Sequence, residues 1–191
     1  MKKNLKIAIG MAIVTTILLG VIYPFVVTIL AQALFPAQAN GSLITVNGKI
    51  AGSRLIGQPF SSPGYFRSRP SAAGNGYDAQ NSGGSNLGPT NKMMIDRMSG
   101  DALKLQAENP GTPVPMDLIT TSGSGLDPHI SPEGAGFQTP RVAKERGMSE
   151  ADVSALIARH TEGRQLGFLG EPRVNVLELN LDLDAVHPMK K

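Results

Sequence analysis

The stretch IAIGMAIVTTILLGVIYPFVVTILAQAL, Ile7–Leu34, decides how this chain is organised, because no charged residue lies between Lys6 and Lys49. As a helix it is long enough to cross the ~30 Å hydrocarbon core of a bilayer. Lys2, Lys3 and Lys6 precede it, and the next positive charge after it is Lys49. The positive-inside rule therefore places the N-terminus in the cytoplasm and the rest of the chain on the outer side.

Three segments follow from this pattern. Residues 1–6 are predicted to form a cytoplasmic tip, residues 7–34 a transmembrane helix, and residues 35–191 a single small extracytoplasmic α+β domain. Pro24 lies inside the apolar run. A transmembrane helix tolerates a proline when neighbouring groups satisfy the freed carbonyl, so the prediction of one helix stands.

The alternative interpretation of the same segment is a cleaved signal peptide. Ala31-Gln32-Ala33 and Ala37-Gln38-Ala39 both have the small-x-small form of a cleavage site. The apolar run is longer than the usual ~7–15-residue core of a signal peptide, which favours the anchor. Cleavage would instead release a secreted periplasmic binding protein, and that remains the second hypothesis.

Small residues recur at every fourth position of the apolar run, at Ala8, Ala12, Thr16 and Gly20. On a helix they form one slowly winding stripe, and small side chains let another membrane helix approach closely. The stripe is therefore a candidate docking surface for a larger membrane partner. The alternative is that this spacing arises by chance, because small residues are common in membrane spans, and the two interpretations have about equal weight.

Charge and cysteine content exclude several classes of protein. The chain has 18 Lys and Arg against 15 Asp and Glu, and every acidic residue lies at or after Asp78. Outside the three lysines of the tip, the two signs are equal in number. A nucleic-acid-binding protein needs a basic face, which this balance argues against. With no cysteine, disulfides, thiolate metal sites and cysteine nucleophiles are excluded.

The outer domain begins with a predicted β-hairpin. Leu43–Val46 and residues 49–56 flank Asn47-Gly48, the dipeptide that favours a type I′ turn. From Gln58 to Thr90 the chain is rich in Gly, Ser, Pro and Asn, which predicts either a long ordered loop or disorder. A helix is then predicted over residues 91–109, with one apolar face formed by Met94, Met98, Ala102 and Leu105.

The second half of the domain is predicted to alternate strands and helices. Val114–Thr121 is a plausible strand, and Ser131 can cap a helix that Pro140 interrupts, with a second helix running from Thr139 to Gly147. Ser149 opens a further helix. Val174–Leu183 has a mostly alternating pattern with a phase slip, which fits a strand with a bulge at Val176-Leu177.

The helix opened by Ser149 has two clear signals. Ser149 and Asp152 form a variant of the capping box. Val153, Leu156, Ile157 and His160 then share one face. Together these elements predict the α+β class.

No catalytic constellation is recognisable. The chain has no Asp-Lys-Thr-Gly phosphorylation motif and no P-loop, so by itself it is neither a P-type nor a P-loop ATPase. It has no Gly-x-Ser-x-Gly elbow and no Ser-x-x-Lys. His129, His160 and His187 are scattered, which argues against a metal site. We therefore predict no catalytic residue and no metal.

Individual histidines have simpler interpretations. His160 suits a helix end or the core, and His129 follows Asp127-Pro128 and suits a brace for a turn. A triad of Ser124, His129 and Asp127 is too local in sequence to hold three side chains in line.

Two polar stretches remain, residues 77–86 and residues 120–131. Glycines beside hydroxyl groups can present backbone N–H groups to an anion or nucleotide. The candidate residues for such a site are Ser82, Gly83, Gly84, Ser85 and Asn86. Tight loops whose polar side chains bond to their own backbone are the favoured alternative.

A family resemblance is carried by motifs spread over the whole chain in order. They are Tyr23-Pro24; residues 35–43, FPAQANGSL; residues 52–58, GSRLIGQ; residues 65–71, YFRSRPS; the two polar stretches; residues 141–143, RVA; and residues 170–177, GEPRVNVL. Together they resemble the C subunit of the bacterial potassium-transporting ATPase, the Kdp system. Gly134, Gly136 and Pro140 depart from the regular helix expected in their stretch.

That resemblance implies a non-catalytic accessory and assembly subunit of a high-affinity potassium uptake pump, anchored in the bacterial inner membrane by one helix. Its partners would be a P-type ATPase subunit and a channel-like, potassium-binding subunit. ATP would act through the ATPase subunit, with no cofactor of the chain's own. The family is also described as a catalytic chaperone that raises the ATP affinity of the ATPase subunit.

The implied chaperone role conflicts with a direct nucleotide contact. ATP is cytoplasmic, whereas residues 82–86 are predicted to lie outside, across a ~30 Å hydrocarbon barrier. Either the outer domain acts through the channel-like subunit, with coupling passing through the helices, or the orientation is reversed. The first is the hypothesis we favour.

Overall fold

The computed structural model describes residues 1–189, so the last two residues of the predicted outer domain lie outside the described part. The chain divides into two compact units, Met1–Ser53 and Arg54–Lys191. Each unit is described by itself. The mixture of helices with two small sheets confirms the α+β class.

The first unit begins with one long helix in three parts: α1, Lys2–Ile17; a π-helical segment, Leu18–Ile22; and α2, Tyr23–Leu34. The Tyr23 N–H donates to the Leu18 carbonyl, one residue further back than in an α-helix. Pro24 follows directly and has no N–H to donate. A π turn is a common way to absorb such a break in the hydrogen-bond ladder.

This helix meets the physical requirements of a membrane span. It runs over 33 residues, Lys2–Leu34, and none of its apolar window is buried inside the chain. At about 1.5 Å per residue it is longer than the ~30 Å hydrocarbon core. It is the single helix within residues 1–189 that is long and apolar enough to cross a membrane, although a signal sequence meets the same requirement.

The predicted hairpin follows a short helix, α3, Pro36–Ala39. Its strands are β1, Leu43–Val46, and β2, Lys49–Ser53, which pair antiparallel with a bulge near Ile44. Asn47 and Gly48 have φ angles of 51° and 74°, the positive values that a type I′ turn requires. The hairpin prediction is confirmed, and its second strand is three residues shorter than the 49–56 we predicted.

Up to residue 189, the second unit contains four helices, one 3₁₀ turn and a three-stranded sheet. They are α4, Lys92–Glu108; the 3₁₀ turn, Met116–Leu118; β3, His129–Ile130; α5, Pro132–Arg146; α6, Glu150–Arg159; β4, Thr161–Glu162; β5, Arg173–Asn175; and α7, Val176–Val186. The strand order is β3-β5-β4, and both pairings are antiparallel. The predictions for α4 and α6 are confirmed.

Side-chain caps fix the start of both confirmed helices. The Asn91 carboxamide accepts from the N–H groups of Met93 and Met94 at the start of α4. The Ser149 hydroxyl accepts from the Asp152 N–H at 3.1 Å and donates to its carboxylate at 2.6 Å at the start of α6. The predicted cap by Ser149 is therefore formed, and the Asp152 carboxylate bonds to the Ser149 hydroxyl.

The prediction of two helices around Pro140 is wrong, because α5 is a single helix with Pro140 inside it. In the turn before the proline, the Gln138 amide donates to the Gly134 carbonyl and the Thr139 hydroxyl to the Ala135 carbonyl. Pro140 removes the backbone bond to the Gly136 carbonyl, four residues back, and the two side-chain bonds go to the carbonyls directly before it.

Two predicted strands are also wrong. Val114–Thr121 instead contains the 3₁₀ turn, and Asp117 in that turn accepts from the Ser131 N–H at 2.7 Å. Val174–Leu183 is a strand only up to Asn175, after which α7 begins. The Asn175 side chain accepts from the Glu178 N–H at 3.1 Å and so caps the helix that replaces the predicted bulge.

The core lies between the sheet and helices α5, α6 and α7. Val142, Val153, Val174 and Val176 are fully buried. Most of the buried apolar residues form one cluster: Phe66, Leu118, Ile130, Ala135, Phe137, Val142, Ala143, Val153, Leu156, Ile157, Val174, Val176, Leu179 and Leu183.

A chain segment without regular structure, residues 63–67, is held against this core by side chains of α5 and α7. The carbonyl of every residue in this segment accepts a hydrogen bond from one of these side chains. Arg141 donates to the Pro63 and Tyr65 carbonyls, Arg146 to Gly64, Asn180 to Phe66 and Gln138 to Arg67. Asn180 and Gln138 also accept from the N–H groups of Phe66 and Arg67, both at 2.8 Å. These side chains supply the hydrogen bonds that a neighbouring strand would otherwise provide.

Two arginines complete this anchorage: Arg146 is buried and Arg141 is half-buried. The Arg146 guanidinium lies 4.7 Å from the centre of the Tyr65 ring and forms an ion pair with Asp184 at 2.9 Å. Burial and the Tyr65 hydrogen bond to Asp184 raise the pKa of Tyr65. Burial, together with the charge of Arg67, lowers the pKa of Arg141 to about 10, so Arg141 remains a cation at neutral pH.

Candidate functional site

The two polar stretches singled out from the sequence lie against each other. The Gly83 N–H donates to the Ser124 carbonyl at 2.8 Å, and the Ser82 hydroxyl donates to the same carbonyl at 3.0 Å. The candidate loop, residues 82–86, is therefore one half of a loop pair, which we call the polar joint and define as residues 71–86 and 120–127.

Glycine is required where the two loops touch. Gly125 has a φ of 66°, and a Cβ there would lie 2.5 Å from the Gly83 carbonyl oxygen and 2.7 Å from the Ala73 nitrogen. A Cβ on Gly84 would lie 3.1 Å from the Gly123 carbonyl oxygen. The backbones thus approach each other more closely than any larger residue permits.

Ser71 and Tyr77 fasten the first loop of the polar joint. The Ser71 hydroxyl donates to the Gly125 carbonyl at 2.6 Å and accepts from the Tyr77 N–H at 2.8 Å. The Tyr77 hydroxyl donates to the Arg69 carbonyl at 2.6 Å. Burial raises the pKa of the Tyr77 phenol. The loop is therefore held from its backbone as well as from its side chains.

Arg69 and Asp127 fasten the second loop. The Arg69 guanidinium lies 3.1 Å from the Asp127 carboxylate and donates to the Thr120 hydroxyl at 3.3 Å. Burial alone would raise the pKa of Asp127. Hydrogen bonds from the ring and N–H of His129, together with the charge and hydrogen bond of Arg69, outweigh burial and hold that pKa below its ordinary value. Asp127 therefore acts as an ionised structural anchor.

The contacts made by Ser124, Asp127 and His129 are those of a turn. The Ser124 hydroxyl accepts from the Leu126 N–H at 3.1 Å. Asp127 pairs with Arg69, and it also accepts from the His129 N–H at 3.0 Å, which is the turn-bracing contact expected for His129. The geometry is that of a braced turn.

The other two histidines lie apart from the polar joint. His160 ends α6, and its Nε2 lies 3.0 Å from an Asp182 carboxylate oxygen of α7, so the predicted helix-end role is confirmed. The His187 carbonyl accepts from Arg146 at 2.8 Å. Within residues 1–189, no group of three or more His, Cys, Asp or Glu side chains could hold a metal ion.

The donors that a nucleotide loop would use are partly committed within the chain. Both the Gly83 N–H and the Ser82 hydroxyl bond to Ser124. The structure therefore gives these two residues a structural role. The sequence also favours a structural role for this loop over ligand binding. Ligand binding by Ser82, Gly83, Gly84, Ser85 and Asn86 stays a prediction.

The small-residue stripe lies on the exposed apolar helix. Ala8, Ala12 and Thr16 belong to α1, and Gly20 falls within the π-helical segment. A Cβ on Gly20 would meet only the Thr16 methyl group at 3.8 Å, so packing inside the chain does not require a glycine there. Docking of this stripe against another helix stays a prediction.

Sequence patterns missed the row of side chains that holds residues 63–67. The sequence pattern predicts an interrupted helix around Gln138 and a strand around Asn180. Neither prediction places these two side chains on the inward face of a continuous helix. A polar residue at an otherwise apolar helical position was the available signal, because Asn180 lies four residues after Val176 and three before Leu183.

A long apolar helix followed by an α+β unit is compatible with one class of protein, the single-pass membrane proteins. Within that class, the chain belongs to the family whose model is described as "KdpC: K+-transporting ATPase, c chain", which matches residues 5–185.

Named relatives agree with this family along nearly the whole chain. The Potassium-transporting ATPase KdpC subunit of Koribacter versatilis (strain Ellin345) is 64% identical over 189 residues, 99% of this chain and 98% of that protein. The protein of the same name from Caulobacter vibrioides (strain NA1000 / CB15N) is 60% identical over 91% of this chain and 88% of its own length. That from Acidobacterium capsulatum is 56% identical over 96% of this chain and 99% of its own.

Proposed function

We propose that this chain is a non-catalytic accessory and assembly subunit of an ATP-driven potassium uptake pump. The observation that carries the proposal is the 64% identity, over nearly all of both chains, to a protein named as a subunit of a potassium-transporting ATPase. The absence of a phosphorylation motif from the sequence agrees with a subunit that leaves ATP hydrolysis to a partner.

The partners follow from the same proposal. A P-type ATPase subunit would hydrolyse ATP, and a channel-like subunit would bind and select potassium. The apolar helix Lys2–Leu34 would hold the chain beside them in the bacterial inner membrane. Lys2, Lys3 and Lys6 support a cytoplasmic N-terminus and a periplasmic domain.

The chain would act as a catalytic chaperone that raises the ATP affinity of the ATPase subunit. In the proposed orientation the polar joint lies across a ~30 Å hydrocarbon barrier from cytoplasmic ATP. Coupling would therefore pass through the channel-like subunit and the membrane helices. The commitment of the Gly83 N–H and the Ser82 hydroxyl to Ser124 supports this indirect route over direct nucleotide contact.

The decisive experiment compares the purified pump with and without this chain. We expect potassium-stimulated ATP hydrolysis to need a higher ATP concentration for half-maximal rate when the chain is absent. An unchanged half-maximal concentration would contradict the chaperone role. Labelling of residues 82–86 by a photoreactive ATP analogue, in sealed vesicles of the correct orientation, would contradict the indirect route.

One observation favours the second hypothesis, a secreted periplasmic binding protein. Ala31-Gln32-Ala33 and Ala37-Gln38-Ala39 are both of the cleavage type, and the long helix ends between them at Leu34. A mature chain that begins after one of these sites and occurs alone in the periplasm would establish it.

A further inference from the structure

The loop between β4 and β5, residues 164–170, is a rigid projection that we call the apolar tip. The N–H groups of Gln165 and Leu169 donate to each other's carbonyls, both at 2.9 Å. Two further backbone bonds, from Gly167 to Arg164 and from Phe168 to Gln165, both at 3.2 Å, close the turn. The loop is therefore ordered by its own backbone.

Apolar side chains cover the end of this loop and face outward. Leu166 is 83% exposed, Phe168 69% and Leu169 47%. Leu166 also has a φ of 53°, a left-handed conformation that is unfavourable for a branched side chain. A glycine or asparagine would relieve that strain, so neither folding nor solubility explains a leucine at this position.

Charges at the base of the apolar tip are paired. Arg164 lies 2.6 Å from Glu171, and Arg173 lies 2.7 Å from Glu162. An apolar centre surrounded by a polar, electrically balanced rim has the composition of a protein-binding site. A loop that bound an anionic lipid surface would instead need an excess of basic residues beside it.

The size of the apolar tip distinguishes two kinds of protein partner. Three side chains bury far less than the roughly 1,000 Å² that a stable interface between free proteins requires, which disfavours a second copy of this chain. A partner already held next to the chain by the membrane helix needs much less, because the second contact then forms at high effective concentration.

We infer that the apolar tip, with Leu166 and Phe168 as its anchors, inserts into an apolar pocket on the extracytoplasmic surface of a protein subunit of the same pump. The inference rests on the proposed function, since that supplies a partner tethered by the membrane helix. The preformed backbone of the loop favours such insertion because little conformational entropy is lost on binding.

The test uses the assembled pump, captured through a tag on the ATPase subunit in mild detergent. The variants are Leu166→Gly, which also relieves the backbone strain, and Phe168→Ser. Leu103→Ser is the matched control, because Leu103 is a similarly exposed leucine, 73%, on α4. The fraction of this chain retained after washing is measured, and thermal unfolding checks that each variant is folded.

We expect each tip variant to be retained about tenfold less than wild type, as for a residue at the centre of an interface, while Leu103→Ser matches wild type. Retention of both tip variants at the wild-type level would overturn the inference and leave the proposed function intact. Failure of the wild-type chain to be retained would overturn the proposed function and the inference together.

A photoreactive amino acid at position 168 identifies the occupant. We expect an adduct with a pump subunit, identified by mass spectrometry. Adducts with lipid alone, or with a second copy of this chain, would overturn the inference, because either would mean that the apolar tip faces something other than the proposed pocket.

Discussion

Asn180 is a buried side chain that supplies both backbone hydrogen bonds of Phe66, which a neighbouring strand would otherwise provide. Its carboxamide accepts from the Phe66 N–H at 2.8 Å and donates to the Phe66 carbonyl at 2.9 Å, with Asn180 only 1% exposed. Asn180→Leu would keep the volume but leave two buried backbone groups without partners. Since each such group costs about 1–3 kcal/mol, we expect a loss of about 3 kcal/mol in the free energy of unfolding.

Chemical denaturation of the full chain in detergent measures this loss. Asn75→Leu is the control, because Asn75 is exposed and a surface substitution changes stability by only about 0.5 kcal/mol. Equal unfolding midpoints for Asn180→Leu and Asn75→Leu would show that Asn180 does not hold residues 63–67.

The raised pKa of Tyr77 predicts how stability and tyrosinate absorbance depend on pH. Burial raises its pKa above the ordinary value of 10.0, so the neutral phenol is favoured in the folded state. Its contribution to stability is fully present below pH 10.0 and is lost as the pH rises through the higher folded-state pKa. The near-ultraviolet absorbance of tyrosinate should therefore rise later in the folded protein than in denaturant.

Tyr77→Phe separates this phenol from Tyr65, whose pKa is also raised. We expect the variant to lose part of the absorbance change that occurs above pH 10.0 in the folded protein. If the absorbance lost in the variant instead falls in the pH range in which the denatured protein titrates, Tyr77 ionises like an exposed tyrosine.

At the level of elements, local sequence signals with a defined geometry predicted the hairpin and the start of α6 correctly. Asn47-Gly48 gave the hairpin because its positive φ angles suit only one common turn, and Ser149 with Asp152 gave the start of α6. The face of Met94, Met98, Ala102 and Leu105 on α4 is indeed its partly buried side. None of these features depends on distant parts of the chain.

A sequence pattern whose apolar spacing fits both a strand and a helix gave a wrong prediction. In Val174–Leu183 the alternation of Leu177, Leu179 and Leu183 suggested a strand. The spacing of Val176, Leu179, Asn180 and Leu183, however, is that of one helix face, and all four are buried in α7. The apparent bulge was the start of that helix. Tertiary contacts through Asn180 decide between the two, and a sequence window does not contain them.

Gly125 tests whether the polar joint needs its close approach of backbones. Gly125→Ala would place a Cβ 2.5 Å from the Gly83 carbonyl oxygen in a left-handed conformation. We expect a loss of about 2 kcal/mol or more in the free energy of unfolding, since the backbone strain alone costs about 1–2 kcal/mol.

Gly123→Ala provides a matched control two residues away. A Cβ on Gly123 meets nothing within 4 Å, and its φ is not in the left-handed range. Denaturation midpoints of the two variants should therefore differ clearly. Similar midpoints would indicate that the loops of the polar joint can separate at little cost.

For the whole molecule, the apolar helix is predictable from the sequence, whereas the pairing of the polar loops is not. Hydropathy alone predicts a helix over residues 7–34, because a bilayer requires one length and one composition, and the structure has this helix over Lys2–Leu34. The polar stretches were recognised as loops, but their pairing through Ser124 joins residues about forty positions apart. Long-range contact of this kind leaves no periodic signal, so the structural role of Ser82 and Gly83 emerged only from the fold.

The central claim is that this chain remains anchored as a subunit of a potassium pump. Its most direct test is the intact mass of a tagged chain purified from membranes in mild detergent, with identification of the proteins that accompany it. We expect the full 191-residue chain together with a P-type ATPase and a channel-like protein. A solitary soluble species that begins at Leu34 or Asn40 would contradict it.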